Sequence, residues 1–430
     1  MRLTAQAAPP RDALAAQATA ALDRRLAASG SRPLAVAFSG GGDSLALLLL
    51  VQAWAAARGR RVLALHVDHR LQPQSADWSR ACAATAARLA VAFHALAWRG
   101  PKPVSGLSAA AREARHALLA QAAREAGAQV LLMGHTADDL AEARLMRELG
   151  ARVGEPRQWA PSPAWPAGRG VFVLRPLLGV GRVDIRRWLA ARGEGWIDDP
   201  ANDDARYARS RARRALAGGG SAPEAPPPGP DLASALAQAV RASRFGELTI
   251  ARAALRQADA AAVQAFVAAA CICASGQATP PRGERAARQA LALLGEAAVR
   301  ATLAGARVVA DAHEALFCRE PGEAARGGLA PMILLPGRAV VWDGRFEIVA
   351  AARGLVVRPL AGVAAKLPHA ERRDLLRLRS DLRGALPVLQ DAAGALSCPL
   401  LAAPGGAAVR SLSQARLEAA LGLVQREQAD

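Results

Sequence analysis

A glycine-rich loop between an apolar run and a helix-like segment constrains this chain more than any other feature. Residues 34–38 are apolar, and residues 44–58 have the composition of a helix. Glycines let a backbone approach an anion, and the N–H groups and dipole of the following helix favour negative charge. The pattern therefore predicts a phosphate-binding loop on a strand–loop–helix unit. The loop consists of Ser39, Gly40, Gly41, Gly42, Asp43 and Ser44.

The alternation of strand-like and helix-like segments continues to about residue 192. Strand-like runs at 61–67, 91–98, 129–133 and 171–174 alternate with helix-like segments. Such alternation predicts an α/β fold with a parallel sheet covered on both faces, where ligands bind beyond the carboxyl ends of the strands. Residues 150–170, rich in Pro, Trp and Gly, are too long for a simple connector. They are either a functional loop or lid, or a flexible insertion.

The second half of the chain differs in composition from the first. A Gly/Pro-rich linker comes first, then a stretch rich in Ala, Leu and Gln that reads as helices, and strand-like runs begin at Arg307. Asp343-Gly344 between two apolar runs is a strong hairpin signal. We expect a doubly wound catalytic domain, a helical middle domain and a small mixed α/β domain. The predicted bounds are 1–217 for the catalytic domain, 218–230 for the linker, 231–328 for the middle domain and 329–430 for the C-terminal domain.

The chain is strongly basic, with 55 basic and 37 acidic residues among 430 and a formal charge of +18. This excess favours a polyanionic partner such as RNA or DNA, although a generally basic proteome would give a similar balance. The five cysteines suggest no disulfide framework and favour a reducing compartment. Neither a signal peptide nor a membrane span is evident, so we expect a cytoplasmic protein that needs no obligate protein partner and no membrane.

The loop differs from two common phosphate loops. No Gly-Lys-Ser/Thr follows it, and Leu45 stands where a dinucleotide loop needs its third glycine. Ser-Gly-Gly-x-Asp-Ser after an apolar strand resembles the PP-loop of the N-type ATP pyrophosphatases, which cleave ATP between its α and β phosphates. The resemblance implies that Ser39, residues 40–42 and Ser44 bind the ATP pyrophosphate. It places Asp43 beside a magnesium ion.

A second motif follows the predicted strand at 61–67. His66-Val67-Asp68-His69, with Leu71 and Ser75, is similar to a segment of the tRNA(Ile)-lysidine synthetases. In that fold this strand end lies beside the adenine, so the resemblance assigns His66 to ATP binding. The alternatives are solvated histidines or metal ligands, and the sequence shows no further ligands for a metal.

A third motif, residues 134–142, follows the predicted strand at 129–133. It resembles the family pattern Gly-His-x-x-Asp-Asp-x-x-Glu-Thr, with Ala143 in place of Thr. Asp138 and Glu142 are four residues apart and share a helix face, where carboxylates can hold magnesium or an ammonium group. Helix capping is the alternative for the two aspartates. The candidates are His135 as proton acceptor, Asp138, Asp139 and Glu142 for lysine and magnesium, and Asp43 with Asp138 as metal ligands.

Two arginine-containing segments complete the resemblance. Arg112 matches the family's Ala-Arg-x-x-Arg-Tyr helix, with His116 in place of Tyr. It is a candidate for neutralising phosphate charge, and a solvated helix face is the alternative. The other segment follows Asp199-Pro200 and suits tRNA phosphates, unless it is a solvated charge run beside the linker. Its arginines are Arg206, Arg209, Arg211, Arg213 and Arg214.

The resemblance implies a specific reaction. The related tRNA thiolases carry Cys-x-x-Cys pairs, which this chain lacks, so sulfur transfer is disfavoured. We expect ATP-dependent adenylation of the wobble cytidine in the CAU anticodon of an isoleucine tRNA, then attack by free L-lysine to form lysidine. The overall reaction forms a C–N bond, releases AMP and pyrophosphate, and changes codon reading from AUG to AUA and identity from Met to Ile. The C-terminal domain at 329–430 is then expected to bind tRNA. The alternatives are another PP-loop enzyme that modifies tRNA or forms an amide on a small metabolite, and an inactive RNA-binding relative.

Overall fold

The computed structural model describes residues 13–151, 153–198, 208–217, 233–322, 329–401 and 406–429. The chain divides into two compact units: unit 1 comprises 1–229 with 425–430, and unit 2 comprises 230–424. The predicted middle and C-terminal domains both fall within unit 2, and the predicted linker lies outside the described residues. The three-domain division with its bounds stays a prediction.

Unit 1 contains a six-stranded sheet in the order β3-β2-β1-β4-β6-β5. The pairings among β1, β2, β3, β4 and β6 are parallel, and only β5 runs antiparallel to its neighbour β6. The four predicted strands that follow the loop motif are therefore confirmed, as is the strand before it. The strands are β1 Leu34–Ala37, β2 Val62–Asp68, β3 Ala92–Ala97, β4 Val130–Leu132, β5 Trp159–Pro161 and β6 Phe172–Leu174.

Helices cover both faces of this sheet, as the fold class requires. Along β1, Leu34 and Val36 join one apolar cluster with the helix that follows the glycine loop, whereas Ala35 joins a second cluster on the opposite face. This alternation is the ordinary two-residue period of a strand that is buried on both sides. The helices of unit 1 are α1 Ala13–Arg25, α2 Gly42–Ala56, α3 Ser75–Arg88, α4 Leu107–Glu125, α5 Ala137–Glu148, α6 Arg182–Ala190 and α7 Ala208–Ala217.

The strand order places a topological switch between β1 and β4. The chain proceeds outward from β1 to β2 and β3, then returns to the other side of β1 as β4. Crossovers that diverge from two adjacent strands leave a crevice beyond their carboxyl ends, where open α/β sheets bind ligands. The glycine loop follows β1 and the 134–142 motif follows β4, so the two motifs meet at this switch.

The Pro/Trp/Gly-rich segment 150–170 contributes the edge strand β5. Trp159 pairs with Leu174 and stacks on Phe172 at a centroid distance of 5.0 Å. The middle of this segment is thus held against the sheet, and it lies at the edge opposite β3.

Unit 2 contains three antiparallel sheets with seven flanking helices among its described residues. Their orders are β7-β8-β11-β10-β9, β12-β15-β16-β17 and β13-β14-β18. The strands are β7 Arg241–Ala242, β8 Leu248–Ala251, β9 Val299–Leu303, β10 Ala306–Ala310, β11 Glu314–Arg319, β12 Met332–Ile333, β13 Ala339–Trp342, β14 Phe346–Ala350, β15 Val356–Pro359, β16 Pro387–Gln390, β17 Leu396–Ser397 and β18 Ala407–Ser411. The helices are α8 Ser234–Gln238, α9 Arg252–Gln257, α10 Ala260–Ser275, α11 Gly283–Leu294, α12 His369–Arg377, α13 Ser380–Arg383 and α14 Ser413–Ala420.

The hairpin predicted at Asp343-Gly344 is present between β13 and β14. Both predicted turn residues have positive φ, 51° at Asp343 and 63° at Gly344, and the Arg345 N–H donates to the Trp342 carbonyl at 3.2 Å. Because Trp342 pairs with Phe346, the loop of this hairpin has three residues. Residues 231–303, read from composition as helices alone, also supply β7, β8 and β9. These strands are short, and the alanine-rich helices around them dominate the composition.

No helix in the part of the chain that the structure describes is both long and apolar enough to cross a membrane.

Candidate active site

The glycine loop forms a closed hydrogen-bonded turn at the start of α2. The Ser44 hydroxyl donates to the Gly41 carbonyl at 2.8 Å and accepts from the Ser39 backbone N–H at 3.2 Å. The Ser39 and Ser44 hydroxyl oxygens lie 3.1 Å apart. The first turn of α2 therefore presents its N–H groups toward the cavity beside it, an arrangement that suits phosphate oxygens.

Glycine is required at two positions of the site, because neighbouring atoms lie too close for a Cβ. Gly40 has a φ of +86°, and a Cβ there would lie 2.5 Å from Ile197 Cδ1. A Cβ on Gly134 would lie 2.9 Å from the Asp43 carbonyl oxygen and 3.2 Å from Ser44 Cα. Gly134 thus lets the segment after β4 pack directly on the loop after β1.

His66 lies buried at the end of β2, one strand away from the loop. Its Nδ1 is 3.0 Å from the Phe38 carbonyl oxygen, and its ring stacks on Phe93. Burial lowers the pKa of His66, so the ring is neutral at physiological pH. The side chain lines the cavity beside the loop, consistent with its predicted position near the nucleotide.

The two aspartates of the 134–142 motif have different partners. The Asp139 carboxylate accepts from the Thr136 backbone N–H at 2.7 Å and from the Thr136 hydroxyl at 3.1 Å, which completes a capping box on α5. The Asp138 carboxylate instead accepts from the Arg182 backbone N–H at 2.7 Å, at the start of α6. Capping, the alternative to a catalytic role, is therefore realised in both residues. It leaves their catalytic roles as predictions.

Arg182 joins the carboxylates of the site, and the sequence analysis missed it. Its Nε donates to the Asp43 carboxylate at 3.0 Å, and its terminal nitrogens lie 3.3 Å from Glu142 and 3.7 Å from Asp139. Burial alone would lower the pKa of Arg182, but these three carboxylates outweigh it and raise the pKa. Its position at the start of the helix that follows the last parallel strand was the signal that would have identified it.

The three carboxylates around Arg182, those of Asp43, Asp139 and Glu142, form an acidic group. Asp43 is its member from the glycine loop. Burial raises the pKa of its carboxyl group above the ordinary value, although Arg182 opposes the shift. Its carboxylate lines the same cavity as Ser39 and Ser44. An anionic group is thereby held at the edge of a phosphate-binding loop, where it can share a cation with phosphate oxygens.

Glu142 is the most deeply buried carboxylate of the group, with 1% of its side chain exposed. One of its oxygens accepts from both Arg182 and Arg213, the latter at 2.9 Å from Nε. Arg213 was predicted as a tRNA-binding residue of the arginine segment, and the structure places it at the acidic group and in the cavity wall. Its contact with tRNA stays a prediction.

His135 is buried and paired with a second arginine that the sequence analysis missed. Arg175, which directly follows β6, donates from Nε to His135 Nδ1 at 2.8 Å. Burial, with the nearby charge of Arg112, lowers the pKa of Arg175 to about 10. Because Nδ1 accepts this bond, the neutral ring carries its proton on Nε2. His135 thus accepts through Nδ1 from Arg175, and its role as proton acceptor in the reaction stays a prediction.

Arg112 lies on α4 with an exposed side chain, whereas Arg115 of the same helix lines the cavity. His116, directly after Arg115, is buried, and its two ring nitrogens have no hydrogen-bond partner among the described residues. Burial and the charges of Arg115, Arg112 and Arg175 lower the pKa of His116 to about 3. The α4 face thus brings a concentration of positive charge to one side of the site.

The other residues of the predicted tRNA-binding segment lie on α7 or before it. Arg211 and Arg214 are exposed on α7. Arg206 lies outside the described residues, as does the side chain of Arg209. The contacts of this segment with tRNA stay predictions.

A cavity of about 950 Å³ lies beside the glycine loop. The site residues that line it, besides the loop itself, are His66, Arg115, His135, Asp139, Arg182 and Arg213, whereas Asp138 and Glu142 lie behind its wall. The volume of the cavity is at the upper end of the usual range for ligand sites, so it has room for more than one ligand. The described residues include no group of three or more His, Cys, Asp or Glu side chains placed to hold a metal ion. A magnesium ion here would take Asp43 as a protein ligand and draw most of its ligands from phosphate oxygens and water, which is its usual preference.

Known proteins resemble this chain over nearly its whole length. A family described as a PP-loop domain matches residues 14–218. A tRNA(Ile)-lysidine synthase from Caulobacter vibrioides is 51% identical over 419 residues, which cover 96% of this chain and 98% of that protein. One from Rhizobium meliloti is 33% identical, covering 78% of this chain and 77% of that protein.

A solved structure, the U34-tRNA thiolase NcsA from Methanococcus maripaludis with its [4Fe-4S] cluster, is more distant. It is 15% identical with a TM-score of 0.40 over 48% of this chain and 73% of that one, and this likeness carries no conclusion. With a PP-loop at the switch between β1 and β4 and a near full-length relative at 51% identity, the chain belongs to the tRNA(Ile)-lysidine synthase family.

Proposed function

We propose that this protein adenylates the wobble cytidine of an isoleucine tRNA with a CAU anticodon and then joins free L-lysine to it, forming lysidine. ATP is the adenylate donor, and AMP and pyrophosphate are released. The product reads AUA rather than AUG and directs isoleucine rather than methionine. We place this reaction in the cytoplasm.

The observation that carries the proposal is that the PP-loop, with Asp43, and Asp139 of the motif after β4 line one cavity, with Glu142 directly behind it. The loop after β1 supplies N–H groups for phosphate. The motif after β4 supplies buried carboxylates, and the Arg182 guanidinium connects Glu142 of that motif to Asp43 of the loop. A site of this kind holds a polyphosphate and an ammonium group side by side. The family membership gives the class of acceptor, a tRNA.

In the first step, the cytidine C2 oxygen attacks the α-phosphorus of ATP and pyrophosphate leaves. The residues of the loop, Ser39 to Ser44, bind the leaving pyrophosphate through N–H groups and hydroxyls. Asp43 would hold the magnesium ion that accompanies ATP, and the ion would neutralise part of the phosphate charge. Arg115 and His66 also line the cavity, and His66 is assigned to the adenosine.

In the second step, the side-chain amine of lysine attacks C2 and AMP leaves with the C2 oxygen. Glu142 and Asp139 attract the ammonium form of lysine into the cavity, because they are anionic and poorly solvated. The attacking amine must lose a proton before it reacts, and we assign that proton to a carboxylate of this motif. The target base must leave its stack to enter the cavity, which costs a few kcal/mol.

We assign binding of the rest of the tRNA to exposed arginines of α7 and to unit 2. Arg211 and Arg214 on α7 are exposed near the acidic group that Arg213 contacts, so they suit phosphates next to the anticodon. The C-terminal residues of unit 2 are proposed to contact the body of the tRNA, which is much longer than one catalytic domain.

The deciding experiment is incubation of the full chain with ATP, magnesium, radiolabelled lysine and an isoleucine tRNA transcript that carries a CAU anticodon. Lysine is expected to enter the tRNA with release of one AMP per lysine. A matched transcript with U at the wobble position is the control and should take up none. No incorporation into any tRNA would reject the proposal. ATP–pyrophosphate exchange driven by a small metabolite without tRNA would favour an amide-forming synthetase.

A further inference from the structure

The backbone of Arg182 is fixed in place, whereas its side chain can rotate. Its backbone N–H donates to the Asp138 carboxylate at 2.7 Å, at the first residue of α6. Ile185 and Leu189, on the following turns, are fully buried in the core of unit 1. The main chain at 182 is thus fixed by a charged hydrogen bond and by helix packing.

The Arg182 guanidinium contacts carboxylates from two different segments. Nε bonds to Asp43 in the PP-loop, and the two terminal nitrogens face Glu142 and Asp139 on α5. Removing this one cation would leave three poorly solvated carboxylates close to one another. Buried carboxylates repel each other strongly and need a positive partner.

The net formal charge of the acidic group and its two arginines is negative, so the group attracts a further cation. Asp43, Asp139 and Glu142 contribute three negative charges, and Arg182 with Arg213 contributes two positive ones. One negative charge remains when Arg182 is in place, and two remain when it turns away. The attraction of the group for an ammonium therefore depends on where the Arg182 side chain lies.

The alternative partner for this guanidinium is adjacent. Arg182 lines the cavity beside Ser39, Gly41 and Ser44, and its Nε is already bonded to a residue of the PP-loop. Guanidinium groups bind phosphate oxygens through paired N–H donors, as well as they bind carboxylates. A rotation of the side chain, with the backbone fixed, would transfer it from Asp43 to a polyphosphate in the loop.

We propose that Arg182 couples the binding of ATP to the binding of the amine: its guanidinium neutralises the Asp43, Asp139 and Glu142 carboxylates until ATP arrives, then moves to the phosphates and leaves Asp139 and Glu142 to the lysine ammonium. Arg182 is in this sense a positioning residue that orders the two substrates. The inference rests on the proposed function, since it takes ATP and lysine as the ligands.

Thermodynamic linkage gives a direct test with the full chain. Lysine affinity is measured by calorimetry with and without magnesium and an α,β-methylene analogue of ATP, which cannot be cleaved between its α and β phosphates. In the wild type the analogue is expected to tighten lysine binding at least about fivefold, and lysine should tighten analogue binding by the same factor. In Arg182→Met, lysine affinity is expected to be the same within about twofold with and without the analogue.

Arg187→Met is the matched control. Arg187 lies on the same helix, is exposed and pairs with Asp184, so the variant removes one positive charge without touching the carboxylates. It should keep the wild-type coupling. Arg182→Lys provides the conservative comparison. Its ammonium reaches fewer carboxylates than a guanidinium does, and the coupling should fall between those of the wild type and Arg182→Met.

The possible outcomes separate the inference from the proposed function. Binding of both ligands to the wild type without coupling, or full coupling in Arg182→Met, overturns the inference alone. If Arg182→Met does not fold, Arg182→Lys decides: reduced coupling supports the inference and undiminished coupling overturns it. A wild-type protein that binds the ATP analogue but never lysine overturns the proposed function, and the inference with it.

Discussion

Arg60 and Glu427, 367 residues apart in the chain, form a bidentate ion pair that is almost completely excluded from solvent. The two guanidinium nitrogens donate to the two carboxylate oxygens at 2.6 and 2.8 Å, and only 1% of each side chain is exposed. Glu427 also accepts from the Ala27 backbone N–H at 2.9 Å. Arg60 precedes β2, so this pair lies at the amino ends of the parallel strands, opposite the PP-loop edge. The last residues of the chain are therefore a structural part of unit 1.

Substitution of Glu427 is expected to destabilise unit 1. Glu427→Ala would leave a buried guanidinium without its carboxylate, and breaking a buried ion pair in this way typically costs about 3–5 kcal/mol. The free energy of unfolding can be followed by hydrogen exchange at the amides of β1 and β2. Glu148→Ala, which removes an exposed partner of Arg144 on α5, is the control and should change stability by less than about 0.5 kcal/mol. A similarly small effect of Glu427→Ala would contradict this account.

We expect His116 to lower the stability of the folded protein at acid pH. Its pKa is lowered from 6.5 to about 3 by burial and by nearby arginines, so below pH 6.5 the unfolded chain takes up a proton that the folded protein cannot. Stability then falls as pH falls, by about 1.4 kcal/mol per pH unit between those two values. His116→Phe should lose this component and be more stable than the wild type at pH 5.5, because neither ring nitrogen has a partner among the described residues to lose.

Urea unfolding at pH 7.5 and pH 5.5 measures this difference. Between the two conditions the wild type should lose roughly 1.4 kcal/mol more than His116→Phe. His94→Phe, which alters an exposed histidine on β3, should behave as the wild type does. Equal pH dependence in the wild type and His116→Phe would mean that His116 is not held neutral.

A methyl group at position 134 is expected to displace the PP-loop. The Cβ of Gly134→Ala would come within 2.9 Å of the Asp43 carbonyl oxygen, a backbone atom that cannot rotate away. Overpacking of this kind costs about 1–3 kcal/mol, and here the strain falls on the loop that binds ATP. Equilibrium binding of ATP should weaken roughly 10-fold or more, which corresponds to about 1.4 kcal/mol.

Gly154→Ala is the comparison for that variant. No atom lies within 4 Å of a Cβ built there, so ATP affinity should not change. If Gly134→Ala also bound ATP with wild-type affinity, the close packing of the segment after β4 on the loop would not matter for nucleotide binding.

Neutralising Glu142 is expected to slow the lysine step more than the adenylation step. Glu142→Gln removes the most buried carboxylate of the acidic group but keeps the shape of the side chain. Loss of a group that binds the ammonium and accepts its proton typically costs about 10²-fold or more in rate. Single-turnover measurement of lysine transfer and of pyrophosphate release separates the two steps.

Asp138→Asn and Glu148→Gln complete this comparison. An asparagine at 138 can still accept the Arg182 backbone N–H, so its effect on lysine transfer should be smaller than that of Glu142→Gln. Glu148 is exposed at the end of the same helix, and its substitution should change neither step. Wild-type rates in both Asp138→Asn and Glu142→Gln would remove these residues from the mechanism.

Much of unit 1 follows from signals that are local in sequence. Largely apolar runs of four to eight residues, each followed by a helix-like segment, identify β1, β2, β3, β4 and β6, because strand burial and helix formation depend on neighbouring residues. The PP-loop and the 134–142 motif could be located for the same reason. The short strands β7, β8 and β9 of unit 2 were missed, since alanine-rich helices on either side dominate the composition there.

What the sequence determined by itself is the loop, the alternation of strands and helices, and the residue types offered at each strand end. Only the tertiary structure decided which of these meet. Arg182 reaches Asp43, Arg213 reaches Glu142, Arg175 reaches His135, and Glu427 reaches Arg60 across separations of 40 to 367 residues. Such pairs depend on strand order and on the path of each crossover, because a charged side chain buried away from water must find its partner in space rather than along the chain.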